Sequence, residues 1–179
     1  VTTYLNLEMA VTDDMINIAI RNKKFQATIV PEKRHELTTE GGLDLIKNYN
    51  NINKATKKLM DNNIRVSYFI DPDLNQIETA AKLGGEFIEI HTGQFALAKN
   101  EDEMINELKK INDAVEFARS KNLRVNAGHG LNYKNVLHIV KNKDIEELNI
   151  GHSIISRAVF VGLYKAVSEM KKLLSYNDA

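Results

Sequence analysis

Short apolar segments alternate with longer stretches of helical periodicity along this sequence. Six apolar segments have the length and composition of β-strands: residues 5–10, 27–31, 65–70, 87–91, 123–127 and 147–150. Helical patterns occupy residues 15–21, 43–62, 101–120, 133–141 and 154–175, and one more helix precedes Gly84-Gly85. Strict alternation of strand and helix indicates parallel strands joined by crossover helices. The sequence therefore predicts an α/β fold whose sheet is covered on both faces.

Two connections between these elements carry distinctive sequence. Asp71-Pro72-Asp73 opens the helix that ends at Gly84-Gly85. Because proline is favoured at the first helical position, we predict that Pro72 is that position and that Asp71 is the N-cap. Residues 31–42 form a long, polar, glycine-bearing connection after the second strand. A connection of this length and composition is typical of a mobile lid over a site.

Composition limits the classes of function. Lys+Arg and Asp+Glu number 24 each, so the net charge is zero and the basic excess of a nucleic-acid binder is absent. The sequence has no cysteine, which excludes disulfides and fits a reducing compartment such as the cytoplasm. No apolar run reaches the roughly 20 residues that span a bilayer, so we expect no membrane partner. The first residue is Val1, and we expect further residues before it.

Polar residues gather where the predicted strands end. Each predicted strand contains, or is followed by, at least one polar residue that is a candidate for the site. These residues are Glu8, Glu32, Asp71, Glu89, His91, His129 and His152. In parallel α/β folds the carboxyl edge of the sheet holds the active site. We therefore expect these side chains to meet at one edge.

Two of the carboxylates within predicted strands are candidates for chemistry. Alternation places Glu8 on the face opposite Leu7 and Met9, and a buried carboxylate is costly unless it is paired or functional. Glu8 is either half of a structural ion pair or a general base whose pKa is set by burial. Glu89 and His91 share a face by the same alternation, so they either pair with each other or act in chemistry.

The sequence contains two strand ends of the same type. Gly128-His129-Gly130 and Gly151-His152-Ser153 each follow an apolar strand and precede a helical pattern. Glycine allows a sharp turn, and the free N–H groups of a helix start attract anions. Imidazole exchanges protons near neutral pH, although each histidine could serve only as a cap or a phosphate ligand. The pair predicts a phosphate site with acid–base groups beside it.

Seven segments together resemble one enzyme family from one end of the chain to the other. They are Asn6-Leu7-Glu8-Met9-Ala10, Val30-Pro31-Glu32-Lys33-Arg34, Thr38-Thr39-Glu40-Gly41-Gly42-Leu43-Asp44, Phe69-Ile70-Asp71, Ile88-Glu89-Ile90-His91-Thr92-Gly93, Val125-Asn126-Ala127-Gly128-His129-Gly130-Leu131-Asn132-Tyr133 and Leu148-Asn149-Ile150-Gly151-His152-Ser153-Ile154-Ile155. By these motifs the chain resembles the pyridoxine 5'-phosphate synthase family of vitamin B6 biosynthesis. The motifs occur in the family's order, which makes the resemblance specific.

The resemblance implies a (β/α)8 TIM barrel and a ring-closing condensation. The substrates would be 1-deoxy-D-xylulose 5-phosphate and 3-amino-2-oxopropyl phosphate, and the products pyridoxine 5'-phosphate, phosphate and water. It implies no metal and no organic cofactor, and a homo-octamer. By similarity Glu8 is a proton acceptor, His129 a proton donor and Glu89 a further active-site residue. The residues implied to bind substrate and phosphate are Thr38, Gly130, Gly151 and His152.

The chain also departs from the family. Two βα units that precede the strand of Glu8 in the family, with a further catalytic histidine and phosphate-binding arginines, have no counterpart in the 179 residues. We therefore expect a single TIM-barrel domain over residues 1–179, N-terminally incomplete, that contains strands 3 to 8. Alone, such a chain is expected to be inactive and poorly soluble, because two sheet edges would be open. An active, stable species with an intact mass of 20.3 kDa would contradict this.

Two other functions remain open from the residues. Glu8, Glu89, His91 and His129 could hold a divalent ion in a metal-dependent sugar-phosphate epimerase or isomerase. Loss of activity on chelation would favour this alternative. The second possibility is a barrel that binds a phosphorylated ligand, or an assembly protein, without catalysis. Ring synthesis that survives both Glu8→Gln and His129→Ala would show that the catalytic assignment is wrong.

Overall fold

The computed structural model describes residues 3–22, 25–32 and 41–175. Its strands are β1 (Asn6–Met9), β2 (Gln26–Ile29), β3 (Arg65–Ile70), β4 (Phe87–His91), β5 (Arg124–Gly128) and β6 (Ile145–Asn149). Its helices are α1 (Asp13–Arg21), α2 (Tyr49–Met60), α3 (Leu74–Leu83), α4 (Gly93–Leu97), α5 (Glu101–Ser120), α6 (Val136–Val140), α7 (His152–Val161) and α8 (Leu163–Leu174). All six predicted strands are confirmed, with end shifts of a few residues.

The strands form one parallel sheet in sequential order, β1-β2-β3-β4-β5-β6. Each strand pairs with the next along the chain, from Asn6 opposite Gln26 to Gly128 opposite Asn149. Helices connect them, as the alternating pattern predicts. Since every strand runs in the same direction, all six carboxyl ends lie along one edge of the sheet, and this edge carries the polar residues.

The centre of the sheet is covered on both faces. Every residue of β2 and of β4 is buried, and the large buried side chains Tyr68 and Ile70 of β3 lie between them. The outer strands are more exposed, because β1 and β6 each pair with one neighbour among the described residues. Helix α7 has no buried residue, and Val159 and Phe160 are at least 80% exposed.

Several helix boundaries follow directly from capping chemistry. Asn100 caps α5 by accepting the Glu103 N–H, while the Glu103 carboxylate accepts the Lys99 N–H. The Asn100 side-chain amide also donates to the Glu103 carboxylate, so these two side chains together stabilise the helix start. Gly84 ends α3 with φ 81°, a left-handed conformation that glycine adopts without strain. The predicted helix over 101–120 and the predicted stop at Gly84 are both confirmed.

The expectation that Asp71 caps α3 is wrong. The N-cap is Asp73, whose carboxylate accepts the N–H groups of Asn75 and Gln76 at 2.8 and 2.9 Å. Asp71 lies before Pro72 and binds a histidine instead. The proline signal places the helix start correctly to within two residues, but it does not distinguish the two aspartates that flank Pro72.

Three other helices differ from their predicted extents. The pattern over 43–62 becomes helical only at Tyr49, because the Gln76 amide oxygen accepts the Leu45 N–H and holds the preceding residues in a turn. The pattern over 133–141 shortens to α6, since the Asn132 side chain accepts two N–H groups of the intervening turn. The C-terminal pattern is broken at Gly162, where φ is 82° and ψ is 152°. Helix α4, which the sequence analysis did not predict, follows β4 directly.

In the part of the chain that the structure describes, none of the helices has the length and apolar character needed to cross a bilayer.

Candidate active site

A cavity of about 650 Å³ opens at the carboxyl edge of the sheet. Its lining includes six of the seven site residues expected from the sequence: Glu8, Glu89, His129, Gly130, Gly151 and His152. The seventh, Thr38, lies outside the described residues. Cavities of a few hundred Å³ with a few converging polar groups are typical of small-molecule sites. The cavity lining also includes Phe69, Asn132, Asn149 and Ser153, which were not predicted from the sequence as site residues.

Glu8 reaches this cavity from β1. Met9 is buried while Asn6 and Glu8 are exposed, so the predicted alternation of the strand is confirmed. Among the described residues Glu8 is exposed and not buried as expected, because β1 pairs there with β2 alone. Glu8 therefore presents an accessible carboxylate at the cavity wall.

Glu89 is the buried carboxylate of the site. It lies on the central strand β4 and is only 4% exposed. Burial, opposed by a hydrogen bond from the Asn149 side chain and reinforced by the charges of Glu8 and Glu147, raises the pKa of Glu89 to about 7. A carboxyl group with this pKa exists in both protonation states at neutral pH, which is the property required of a general acid or base.

Glu89 and His91 do not pair with each other, although they share a face of β4. Glu89 is hydrogen-bonded to Asn149, which ends the strand β6. His91 is hydrogen-bonded through Nδ1 to the Asp71 carboxylate at 2.9 Å. Since each has a separate partner on a neighbouring part of the carboxyl edge, they belong to two distinct interactions.

His129 occupies a left-handed conformation directly after β5. Its φ is 78°, which is uncommon for a residue with a side chain. The Thr92 hydroxyl lies 2.6 Å from the His129 carbonyl oxygen and 2.8 Å from that of Gly128, and so donates to this turn. The Thr92 N–H also donates to the Gly128 carbonyl at 2.8 Å. Backbone strain held in this way is typical of functional positions.

The two Gly-His turns lead into different local structures. Gly151 is the N-cap of α7, which begins at His152, so the first-turn N–H groups of a ten-residue helix lie at the cavity. The expectation of the same arrangement after His129 is wrong. A turn follows Gly130, and α6 begins only at Val136. The positive end of a helix is therefore present at Gly151 and absent at His129.

The described residues do not bring together the donor set of a metal-dependent enzyme. Within the described ranges 3–22, 25–32 and 41–175, no group of three or more histidine and carboxylate residues could hold a metal ion. Glu8, Glu89, His91 and His129 therefore do not form the cluster that the epimerase alternative requires.

Together these features define a class: a parallel, barrel-like α/β protein with a cavity lined by glutamate and histidine side chains at the carboxyl edge of its sheet. Solved structures support the fold. A xylose isomerase domain protein from Planctomyces limnophilus matches with a TM-score of 0.56 at 12% identity, over 97% of this chain and 73% of its own. An HpcH/HpaI aldolase from Desulfitobacterium hafniense DCB-2 matches with a TM-score of 0.56 at 10% identity, with the same coverage of both chains. At these identities the likeness concerns the fold alone.

The sequence comparisons are more specific. The family description "Pyridoxal phosphate biosynthesis protein PdxJ" matches residues 1–176, and the chain belongs to this family. A pyridoxine 5'-phosphate synthase from Geotalea uraniireducens is 53% identical over 176 residues, which cover 98% of this chain and 74% of the relative. The synthase from Blochmanniella floridana is 51% identical over 174 residues, covering 97% of this chain and 70% of the relative.

Proposed function

We propose that this chain functions as a pyridoxine 5'-phosphate synthase, condensing 1-deoxy-D-xylulose 5-phosphate with 3-amino-2-oxopropyl phosphate. The products are pyridoxine 5'-phosphate, inorganic phosphate and water. The observation that carries the proposal is the family match over residues 1–176, together with relatives of this name at 50% identity or more. The metal-dependent epimerase is not favoured by these relatives.

The proposed roles of the site residues follow their chemistry. Forming an aromatic ring from two phosphorylated skeletons requires imine formation, several proton transfers and elimination of phosphate and water. Glu8 is the proton acceptor, because it places an accessible carboxylate at the cavity wall. His129 is the proton donor, because it lines the cavity directly after β5 and an imidazole exchanges protons near neutral pH. Glu89, whose pKa is about 7, supplies a group that can hold or release a proton beside them.

Phosphate binding is assigned to the start of α7. Gly151, His152 and Ser153 line the cavity at the helix end whose N–H groups favour anions. Gly130 also lines the cavity. A Cβ added at Gly151 would meet no atom within 4 Å, so the space beside this residue is open. Thr38 retains its proposed substrate-binding role from the family resemblance.

We extend the proposal to the barrel, the domain and the oligomer to which the site belongs. The six strands are taken as strands 3 to 8 of an eight-stranded barrel, supported by their sequential parallel order and by relatives of which the chain covers about three quarters. Residues 1–179 then belong to one domain. The family resemblance suggests a homo-octamer in the cytoplasm that needs neither metal nor organic cofactor.

The decisive experiment is an assay of the protein produced from its complete gene with both phosphorylated substrates. Pyridoxine 5'-phosphate is expected, and EDTA should leave its rate unchanged. Glu8→Gln and His129→Asn should each lower kcat by at least about 100-fold. His138→Asn is the matched control, because His138 lies on α6 against Phe95 and outside the cavity lining. Absence of product from the unmodified protein would refute the function, and full activity of both variants would refute the roles.

A further inference from the structure

A buried histidine behind the cavity has no role in the proposed chemistry. His91 ends β4, and its side chain is only 1% exposed. Its Nδ1 lies 2.9 Å from an oxygen of Asp71, whose side chain is 48% exposed at the end of β3. His91 is not among the residues that line the cavity. It is therefore placed to act through a neighbour, since it does not contact the space for substrate.

The chemistry of the pair fixes the direction of its hydrogen bond. Burial acts to raise the pKa of Asp71, but hydrogen bonds from His91 and from the Gly42 N–H outweigh it and lower the pKa. The carboxylate is therefore ionised and can only accept, so His91 Nδ1 carries the proton. This bond ties the His91 ring to the carboxyl end of β3 and selects one ring orientation.

The other side of the His91 ring contacts His129. The two ring centroids are 4.8 Å apart, with an interplanar angle of 64°, and Phe69 packs against both rings. Gly93 makes this contact possible. A Cβ there would overlap His91 Nε2 and lie 3.3 Å from His129 Cδ2. Among the described residues, His91 Nε2 has no hydrogen-bond partner, and the two rings meet edge to face.

We propose that Asp71 and His91 are positioning residues for His129. Asp71 holds His91 through Nδ1, and the held ring fixes the orientation in which the His129 imidazole reaches the cavity. The inference rests on the proposed function only in taking His129 as the proton donor. It assigns a role to a histidine–aspartate pair that the motifs and the cavity leave without one.

The test is Asp71→Asn in the protein produced from its complete gene. We expect kcat to fall about 10-fold while KM for both substrates stays within about twofold. The neutral amide of asparagine lacks the charge that keeps the proton on His91 Nδ1, and it can turn an N–H instead of an oxygen toward the ring, while the cavity lining is kept. Asp73→Asn is the matched control, with the same loss of charge two residues away. Asparagine caps helices as well as aspartate does, so this variant should keep both constants.

A second variant and a spectroscopic measurement support the kinetics. His91→Phe fills the same space but cannot bind Asp71, and the same loss in kcat with unchanged KM is expected. In ¹⁵N NMR spectra of the unmodified protein, His91 should show a protonated Nδ1, and this signature should change in Asp71→Asn. Normal kcat in Asp71→Asn or in His91→Phe, or an unprotonated Nδ1, would overturn the inference.

These outcomes separate the inference from the proposed function. If His129→Asn is inactive while Asp71→Asn is fully active, the positioning pair is wrong and the role of His129 stands. If His129→Asn is itself active, His129 is not the proton donor, and the positioning role of Asp71 and His91 loses its basis.

Discussion

The carboxylate of Glu89 occupies the space that a side chain at Gly128 would take. The two residues lie on the neighbouring strands β4 and β5, and a Cβ at Gly128 would overlap Glu89 Oε1. The same Cβ would lie 3.0 Å from the Cβ of Asn149, the hydrogen-bond partner of Glu89. Gly128 is therefore required by the close approach of a buried carboxylate, and its φ is not in the left-handed region.

Gly128→Ala should displace Glu89 and impair the site. We expect kcat to fall by about 100-fold, since a shift of about 1 Å in a reacting group has this effect. Overpacking should lower the free energy of unfolding by about 1–3 kcal/mol. Gly151→Ala is the control for stability, because no atom lies within 4 Å of its added Cβ. Steady-state kinetics and urea unfolding check both effects, and a fully active Gly128→Ala would contradict the packing described.

The buried Glu89 should make stability depend on pH. Its pKa is raised from 4.5 to about 7, so the folded state binds the proton more tightly than the unfolded state. Stability contributed by the protonated group is present below pH 4.5 and is lost as the pH rises to about 7. The glutamine side chain of Glu89→Gln cannot titrate. The free energy of unfolding of this variant, relative to that of the unmodified protein, should therefore rise by roughly 2–4 kcal/mol across this pH range.

Urea unfolding at a series of pH values measures this difference. Glu116→Gln, on the exposed face of α5, is the control and should reproduce the pH dependence of the unmodified protein. Parallel curves for Glu89→Gln and the unmodified protein would mean that Glu89 does not titrate in this range.

Thr56 of α2 and Tyr68 of β3 form a buried polar pair. The two hydroxyls are 2.8 Å apart, both side chains are fully buried, and burial raises the pKa of Tyr68 to about 12. Thr56→Val should leave the Tyr68 hydroxyl without a partner and lower the free energy of unfolding by about 1–3 kcal/mol. Adding Tyr68→Phe should recover part of the loss, because the orphaned hydroxyl is removed. A double variant less stable than Thr56→Val would contradict this account.

Charged residues surround Phe87 at the amino edge of the sheet. The guanidinium groups of Arg65 and Arg124 lie 4.5 and 4.3 Å from the Phe87 ring centroid, and both contact Glu86. Because these groups are partly exposed, Glu86→Gln should lower the free energy of unfolding by only about 0.2–1 kcal/mol. The difference should shrink at high salt, and kcat should not change because this edge is opposite the cavity. A large loss of kcat would show that the two edges are coupled.

The sequence by itself determined the class of fold and the family. Apolar segments separated by helical periodicity specify alternating strands and helices, and this pattern requires a parallel sheet with its polar strand ends at one edge. Motifs spread along the whole chain identified the family and six of the thirteen residues that line the cavity, including Glu89, His129 and Gly151. These features are local, or are fixed by order along the chain, so they can be read without coordinates.

Only the tertiary structure decided which of the polar residues are buried and which of them pair with each other. Glu8 and Glu89 are both glutamates within strands, but among the described residues only Glu89 is buried, because β4 pairs with a strand on each side. Asp71 and Asp73 both flank Pro72, and only the position of His91 shows which one leaves the helix cap. Burial and pairing depend on neighbours distant in sequence. They therefore settled what local pattern left open, including why Gly128 is a glycine.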